Sequence, residues 1–413
     1  MEDLAIVLPS YAADTSGVAS ALYELGGLTV IHDASGCNST YSTFDEPRWF
    51  TKESAIFISG LTEMEAILGQ DERLINDVIA ASQAIKPKFI TLAGSPMPHL
   101  LGTDFKAIAN IIEEKTSLPT INIPTNGINT YAQGLADAWR ILMQKLQTAK
   151  TLKKTEKKTK TEKPSINLLG TSPLDQSQEL IASLKDFIGK NDFNIQTNLS
   201  FDFQGKFQDL TRITLAKANL VLSASALPLA QWLYETFEQP YVVGWPFGHL
   251  AKEVLKALSK AINDQKISYV CAEMRNKDNT KPTCLLIGES VLNTSIACAL
   301  ELEFNIKTKV ITISNNSNNR LITSHNSLSD NIFNHILSAD DCQLRENESA
   351  IAEIFSQFKH IVADPIYKMI ANPANIFHPL GHLAFSGRLS LEYPGDDLLL
   401  PSLSTFFRRS LPC

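Results

Sequence analysis

EMEAILGQDERLINDVIAASQAIKPKFITLAGSPMPHLLGTD, residues 63–104, decides the fold. Residues 71–85 of this stretch carry apolar side chains at helical spacing, and residues 89–94, FITLAG, form a short apolar run of strand type. A second helical stretch, DFKAIANIIEEK, begins at residue 104. Helix, strand and helix in turn predict parallel βαβ units with helices on both faces of a sheet. The rhythm extends in both directions. LAIVLP, LTVIHD, FISG and TINIPT read as strands, and VASALYELG and YAQGLADAWRILMQKL as helices.

The same alternation restarts twice. SINLLG, LVLSAS and PYVVGW are strand candidates separated by the helical stretches QSQELIASLKDFI, LPLAQWLYETF and HLAKEVLKALSKAIND. A third start at Thr283 gives CLLIGES, the helix VLNTSIACALELEF, and the strands KVITIS and HIVADP, with SLSTFFRRSLPC as a helical tail. The expected class is α/β, with three Rossmann-like, doubly wound parallel-sheet domains. Their expected limits are 1–147, 165–280 and 281–413, joined across 148–164 by a Lys-rich flexible linker. Residues 150–163 carry seven Lys and two Glu without an aromatic residue, so they have nothing to bury.

At 413 residues the chain exceeds what one core normally supports, and with 44% hydrophobic and 20% charged residues it is ordinary for a folded protein. The N-terminus lacks the basic start and apolar core of a signal peptide, and no apolar run approaches the roughly 18 residues that span a bilayer. A cytoplasmic location without membrane association is expected, with the six cysteines kept as thiols or metal ligands. The net charge of −7, more negative without the Lys-rich segment, argues against nucleic acid as a partner.

Ligands of open α/β sheets sit beyond the carboxyl ends of the strands. The segment after LTVIHD is the richest of these loops in reactive side chains: His32, Asp33, Gly36, Cys37, Asn38 and Arg48. A thiol beside a glycine at a strand end is placed to serve as a metal ligand. The same cysteine also reads as a small loop residue with no task. Arg48 is a candidate for a charge-assisted contact to an anionic cluster or substrate.

LTVIHDASGC, followed by Arg48 and then by residues 63–104, resembles the nitrogenase component 1 superfamily. The residues that carry the resemblance are Gly36 and Cys37; Glu65, Ile67 and Gly69; Leu74; Pro87; the strand FITLAG; and Gly102 with Asp104. The resemblance implies three Rossmann-like domains, an iron–sulfur cluster, and electrons delivered by a separate, ATP-dependent iron protein. It also implies cluster cysteines near the first strand end and before Gly-x-Asp, but Ser10 and Ser95 stand near those positions and only Cys37 remains. A [4Fe–4S] cluster wants about four ligands. The cluster is therefore expected to be shared with a partner, a homologous nitrogenase-like subunit, in a heteromer or across a homodimer axis.

Other candidates have structural alternatives. Asp14 or Thr15 reads as a helix N-cap, and Glu63 and Glu65 as acids that satisfy a helix N-terminus. His99, near the missing third cysteine, is either an iron ligand or a loop histidine. His378 and His382 in NPANIFHPLGH are candidates for lining a substrate cavity, since Pro379 opposes a continuous metal-binding helix. Cys271, Cys284 and Cys298 read as core thiols, although Cys271 is less certain. GESVLN could cradle an anion at a helix N-terminus. With neither a Walker sequence nor GxGxxG, the chain is not expected to hydrolyse ATP. The expected function is a redox subunit, an oxidoreductase component that reduces a small substrate. A non-catalytic scaffold for iron–sulfur or metallocofactor assembly is the alternative.

Overall fold

The computed structural model describes residues 12–34, 36, 40, 46–69, 71–148, 163–200, 207–275, 281–313, 342–344 and 348–386. The first strand, 4–9, most of the linker, the C-terminal tail, and Cys37 and Asn38 lie outside the described residues.

Strands β1 (Leu28–His32), β2 (Ala55–Ile58), β3 (Ile90–Gly94) and β4 (Thr120–Ile123) form a sheet of order β2-β1-β3-β4. They pair in parallel, with Leu28 opposite both Ala55 and Ile90, and Ile90 opposite Thr120. The central strands β1 and β3 are buried throughout, as apolar runs covered on both faces must be. The helices of this part are α1 (Asp14–Leu22), α2 (Glu63–Leu68), α3 (Asp71–Ile85), α4 (Pro96–Leu101), α5 (Phe105–Thr116) and α6 (Tyr131–Thr148). Leu74, Ile75 and Val78 of α3 and Ile108 and Ile112 of α5 pack with Leu28, Val30, Ile90 and Leu92 in one buried cluster. Helices α1 and α6 pack closely on each other, with glycines at the crossing. A Cβ on Gly17 would fall 2.0 Å from the Tyr131 carbonyl oxygen, and one on Gly134 would fall 1.9 Å from that of Asp14.

The next strands are β5 (Ser165–Thr171), β6 (Asn194–Ser200), β7 (Ala218–Val221) and β8 (Tyr241–Val243), in the order β6-β5-β7-β8. The last are β9 (Cys284–Gly288), β10 (Thr308–Ile313), β11 (Cys342–Leu344), β12 (His360–Ala363) and β13 (Ile376–Pro379), in the order β11-β10-β9-β12-β13. Their helices include α7 (Gln178–Lys190), α8 (Leu227–Phe237), α9 (Leu250–Asp264), α10 (Ser290–Phe304) and α11 (Glu348–Phe355). The first twelve residues of α10, Ser290 to Glu301, are all buried. By contact the chain divides into two compact units, one holding the first sheet and the other holding β5, β7, β8 and the third sheet.

Each sheet is wound in the same way: its first described strand lies inside, the next goes to one side, and the chain then crosses to the other side. The switch point falls between β1 and β3, between β5 and β7, and between β9 and β12. These are the places where loops diverge and leave a crevice.

The expected α/β class, with three doubly wound parallel sheets, is what the structure contains. Strands β6, β11 and β13 and helices α4 and α11 are among the elements that the sequence reading left out. β6 and β13 were not expected, because NIQTNLS is largely polar and IFHP ends on a proline. Residues 96–101, read as loop, form α4: Pro96 stands in its first turn, where its fixed φ suits a helix, and Gly102 ends it at φ 71°. The N-cap of α1 is Ala13, one residue before the expected pair.

Candidate functional site

The switch point of the first sheet lies between the ends of β1 and β3, and its side chains are tied together. His32, the last residue of β1, places Nδ1 2.7 Å from Ser59 Oγ, just past β2. The Asp33 amide donates to the same Ser59 oxygen at 3.1 Å. Across the switch point, Ser95 Oγ, just past β3, donates to Asp33 Oδ1 at 2.5 Å. Ser95 is completely buried, and His32 and Asp33 are buried. The Phe105 ring meets the His32 ring edge-on, with centroids 5.9 Å apart. Burial holds the His32 pKa below its ordinary value, against the charges of Asp71, Asp33 and Glu65, so the ring favours its neutral form.

Asp14, the first residue of α1, is buried. Its carboxylate accepts from the amides of Asn126 at 2.9 Å and of Gly127 at 2.8 Å, which follow β4, and from the Thr15 amide at 2.8 Å. Burial nevertheless raises its pKa to about 6, with those hydrogen bonds pulling the other way. Asp14 thus holds the start of α1 to the loop after β4.

Arg48 is buried in a network of its own. Nε donates to Glu46 at 2.6 Å, Nη1 to Glu24 at 3.1 Å, and Nη2 to the Ser20 carbonyl at 2.8 Å, while the guanidinium lies 4.7 Å from the centre of the Tyr23 ring. Two carboxylates thus already balance the charge assigned by sequence to an external anion.

His99 is exposed on α4. It stands among apolar side chains that end in solvent: Met97, Leu100 and Leu101 of the same helix, of which Leu100 is 83% exposed. Helix α2 buries none of its residues, and its Ile67 is 71% exposed. It is held by a capping box between Thr62 and Glu65, so Glu65 serves the helix start as expected. Both helices follow directly from the carboxyl ends of β2 and β3, which flank β1.

The other two candidate histidines belong to the second compact unit and have different surroundings. His378 lies in β13 and faces His360 of β12, Nε2 to Nδ1, at 3.1 Å. His382 follows β13, with Nε2 3.3 Å from Asp175 Oδ1. Cys271, Cys284 and Cys298 are buried, and burial pushes each thiol up to about 12, which suits core packing. The helix after GESVLN offers no vacant anion cradle, because Glu289 itself caps it. Sequence reasoning passed over Ser59, although its place at the end of the FISG strand was a usable signal. It also passed over Asp175 and Glu289 as partners of other loops.

Among the described residues, the donors at the first switch point do not make a cluster site by themselves. The Ser95 hydroxyl is engaged with Asp33 and His32 Nδ1 with Ser59, and no group of three or more His, Cys, Asp or Glu gathers there.

Parallel sheets wound on both sides of a switch point, with buried polar side chains at its mouth, define an α/β protein of the doubly wound class. The sequence profile of the nitrogenase component 1 type oxidoreductases matches residues 17–281, and the chain belongs to that family. It is 28% identical over 204 residues to a subunit of the light-independent protochlorophyllide reductase of Picosynechococcus sp. (strain ATCC 27264 / PCC 7002 / PR-6), a match spanning 48% of this chain and 39% of the relative. It is 20% identical over 253 residues to the nitrogenase iron-molybdenum cofactor biosynthesis protein NifE of Methanosarcina barkeri, spanning 56% of this chain and 54% of that protein. The matches thus span about two fifths to one half of these relatives' lengths. Among solved structures, nitrogenase Cp1 at pH 5 superposes with a TM-score of 0.62 at 13% identity, over 99% of this chain and 89% of that one, a likeness of fold. No helix among the described residues is long and apolar enough to cross a membrane.

Proposed function

We propose that the chain is one subunit of a nitrogenase-like redox complex. In this reading it contributes Cys37 to an iron–sulfur cluster completed by a homologous partner subunit, receives electrons from an ATP-dependent iron protein, and serves the reduction of a small substrate. The observation that carries the reading is family membership across residues 17–281, joined to the first switch point, where Ser95 is engaged with Asp33. Among the described residues no group of three or more His, Cys, Asp or Glu is set to hold a metal ion, which supports ligands supplied by a partner. The exposed apolar residues of α2 and α4, Met64, Ile67, Leu100 and Leu101, support a partner docked at the same end of the sheet. His32 and Asp33 would line the cluster side of that interface, with Asn38 and His99 in the surrounding loop and helix. Arg48, matched by Glu46 and Glu24, is read as a support for the segment after β1.

The cluster would supply one-electron transfer. The residues of this chain would orient it and exclude water, with His32 kept neutral by burial.

A second reading, an assembly scaffold that holds a cluster or precursor and passes it on, is favoured by the likeness to a cofactor biosynthesis protein. The test is anaerobic co-purification with the candidate partner, followed by iron analysis and electron paramagnetic resonance. A redox subunit retains a stoichiometric cluster that the iron protein reduces with ATP. A scaffold yields its iron to an apo-acceptor, and a complex without iron removes both readings.

A further inference from the structure

His32 ends β1 at the mouth of the first switch point, and three neighbours fix its ring. Nδ1 lies 2.7 Å from Ser59 Oγ, and the Phe105 ring meets the imidazole edge-on. Gly94, the register partner of His32 on β3, leaves the space that Phe105 fills: a Cβ there would fall 2.8 Å from Phe105 Cε2. The far nitrogen is left over. Nε2 has no hydrogen-bond partner among the described residues, and it is not sealed into the core, since His32 keeps 7% of its surface exposed.

Ser59 governs which form of the ring is supported. Its oxygen accepts from the Asp33 amide at 3.1 Å, and its one hydrogen has two acceptors within reach, His32 Nδ1 and the Asp33 carbonyl oxygen at 3.3 Å. Turned toward the carbonyl, the hydroxyl accepts from Nδ1–H and leaves a lone pair on Nε2. Neither turn strands the Asp33 carbonyl, which also accepts from the Leu61 amide at 2.7 Å. An imidazole whose inner N–H is held by an oxygen, with the outer nitrogen unpaired, is the arrangement in which histidine ligates metals. Burial favours the neutral ring, so a proton competes weakly for that lone pair.

We propose that His32 Nε2 is a second iron ligand from this chain beside Cys37, and that Ser59 is the positioning residue that holds the ring in its ligating form. The proposal rests on the cluster reading above and deepens it. With His32 and Cys37 from this chain, the partner completes the set of about four. Neutral imidazole in place of thiolate leaves a cluster less negative, which raises its reduction potential, as histidine does in Rieske centres.

Pulsed electron paramagnetic resonance on the anaerobically assembled, dithionite-reduced complex tests it. The unaltered complex should show the nitrogen hyperfine coupling of an iron-bound imidazole. His32→Cys should keep the iron, lose that coupling and lower the reduction potential. Ser59→Ala should change the size of the coupling and release iron to a chelator about tenfold more readily, and Ser59→Thr, which keeps the hydroxyl, should restore both. A cluster without imidazole coupling in the unaltered complex overturns the ligand whether or not the variants fold, and leaves the redox reading standing. A coupling that persists in His32→Cys does the same. Ser59→Ala with unchanged coupling and iron release removes Ser59 from the positioning role, and a complex without iron removes the ligand and the cluster reading together.

Discussion

Ser95 and Asp33 join the two sides of the first sheet's switch point through one buried hydrogen bond, hydroxyl to carboxylate. Each residue directly follows a different strand, so the bond fixes how far the loops after β1 and β3 can part. Ser95→Ala leaves the buried carboxylate short of a donor and should cost about 1–3 kcal/mol, read from urea unfolding. A double-mutant cycle with Asp33→Ala isolates the pair. Coupling below about 0.5 kcal/mol would show that the loops are held by something else.

Cys37→Ala should reduce the iron of the purified complex to background and leave the unfolding midpoint of the chain nearly unchanged, since a small loop thiol adds little packing. Cys37→Asp should keep part of the iron, because a carboxylate is a workable substitute ligand. Iron per complex, measured anaerobically beside the thermal midpoint, checks both; full iron in the alanine variant removes Cys37 from the site.

Arg48→Met should damage the fold rather than the chemistry. It strands Glu46 in a buried network and leaves Glu24 only its pairing with Lys52, and removal of one partner from such a network costs about 3–5 kcal/mol. Circular dichroism melts of Arg48→Met and Cys37→Ala, compared side by side, separate support from ligation. A melt of Arg48→Met equal to that of the unaltered protein would return Arg48 to a role toward an external anion.

His378 and His360 predict an acid-side weakness. Burial, followed by the neighbouring His360, lowers the His378 pKa to about 4, and burial, followed by Lys359, lowers that of His360. The unfolded chain therefore binds protons below about pH 6.5 that the folded pair refuses, and stability falls as pH drops from 6.5 through 4. For His378, which is nearly fully buried, the loss should reach about 2–3 kcal/mol by pH 4.5. Urea midpoints at pH 7 and pH 4.5 measure it, and His378→Gln should flatten the difference.

Gly134→Ala sets two effects against each other. Alanine gains about 1 kcal/mol in helix propensity, but its Cβ would fall 1.9 Å from the Asp14 carbonyl, a backbone atom that no rotamer can move aside. Overpacking should win by about 1–3 kcal/mol. Gly189→Ala in α7 meets nothing within 4 Å and should stabilise, which makes it the control in the same unfolding assay.

Much of this architecture was legible in the chain. Strand β3 and helix α3 were readable because FITLAG is uniformly apolar and DERLINDVIAASQAI repeats its apolar positions each turn. Helix α4 was not, because Pro96 and Pro98 signal a break unless the helix is known to begin at the first of them. Strand β13 hid behind His378, whose suitability for a strand comes from a facing His360 that the sequence does not reveal. At the first switch point, His32 and Asp33 could be picked out as candidates, while Ser59 offered only its place at the end of the FISG strand, since a serine gains its full meaning from the strand it lies beside. Asp175 and His382 belong to different βα units, so their contact appears only when two sheets face each other.

The shared winding of the three sheets has a consequence for how such a chain can change over time. Each switch point draws its lining mainly from loops of its own sheet, while the hydrophobic core that supports it lies behind those loops. Loop residues such as Ser95 can accordingly be exchanged at one crevice without disturbing the cores beneath the other two. Division of labour between related subunits then requires only loop exchange. A sequence can thus vary the chemistry of one switch point while the cores beneath the other two sheets keep the fold.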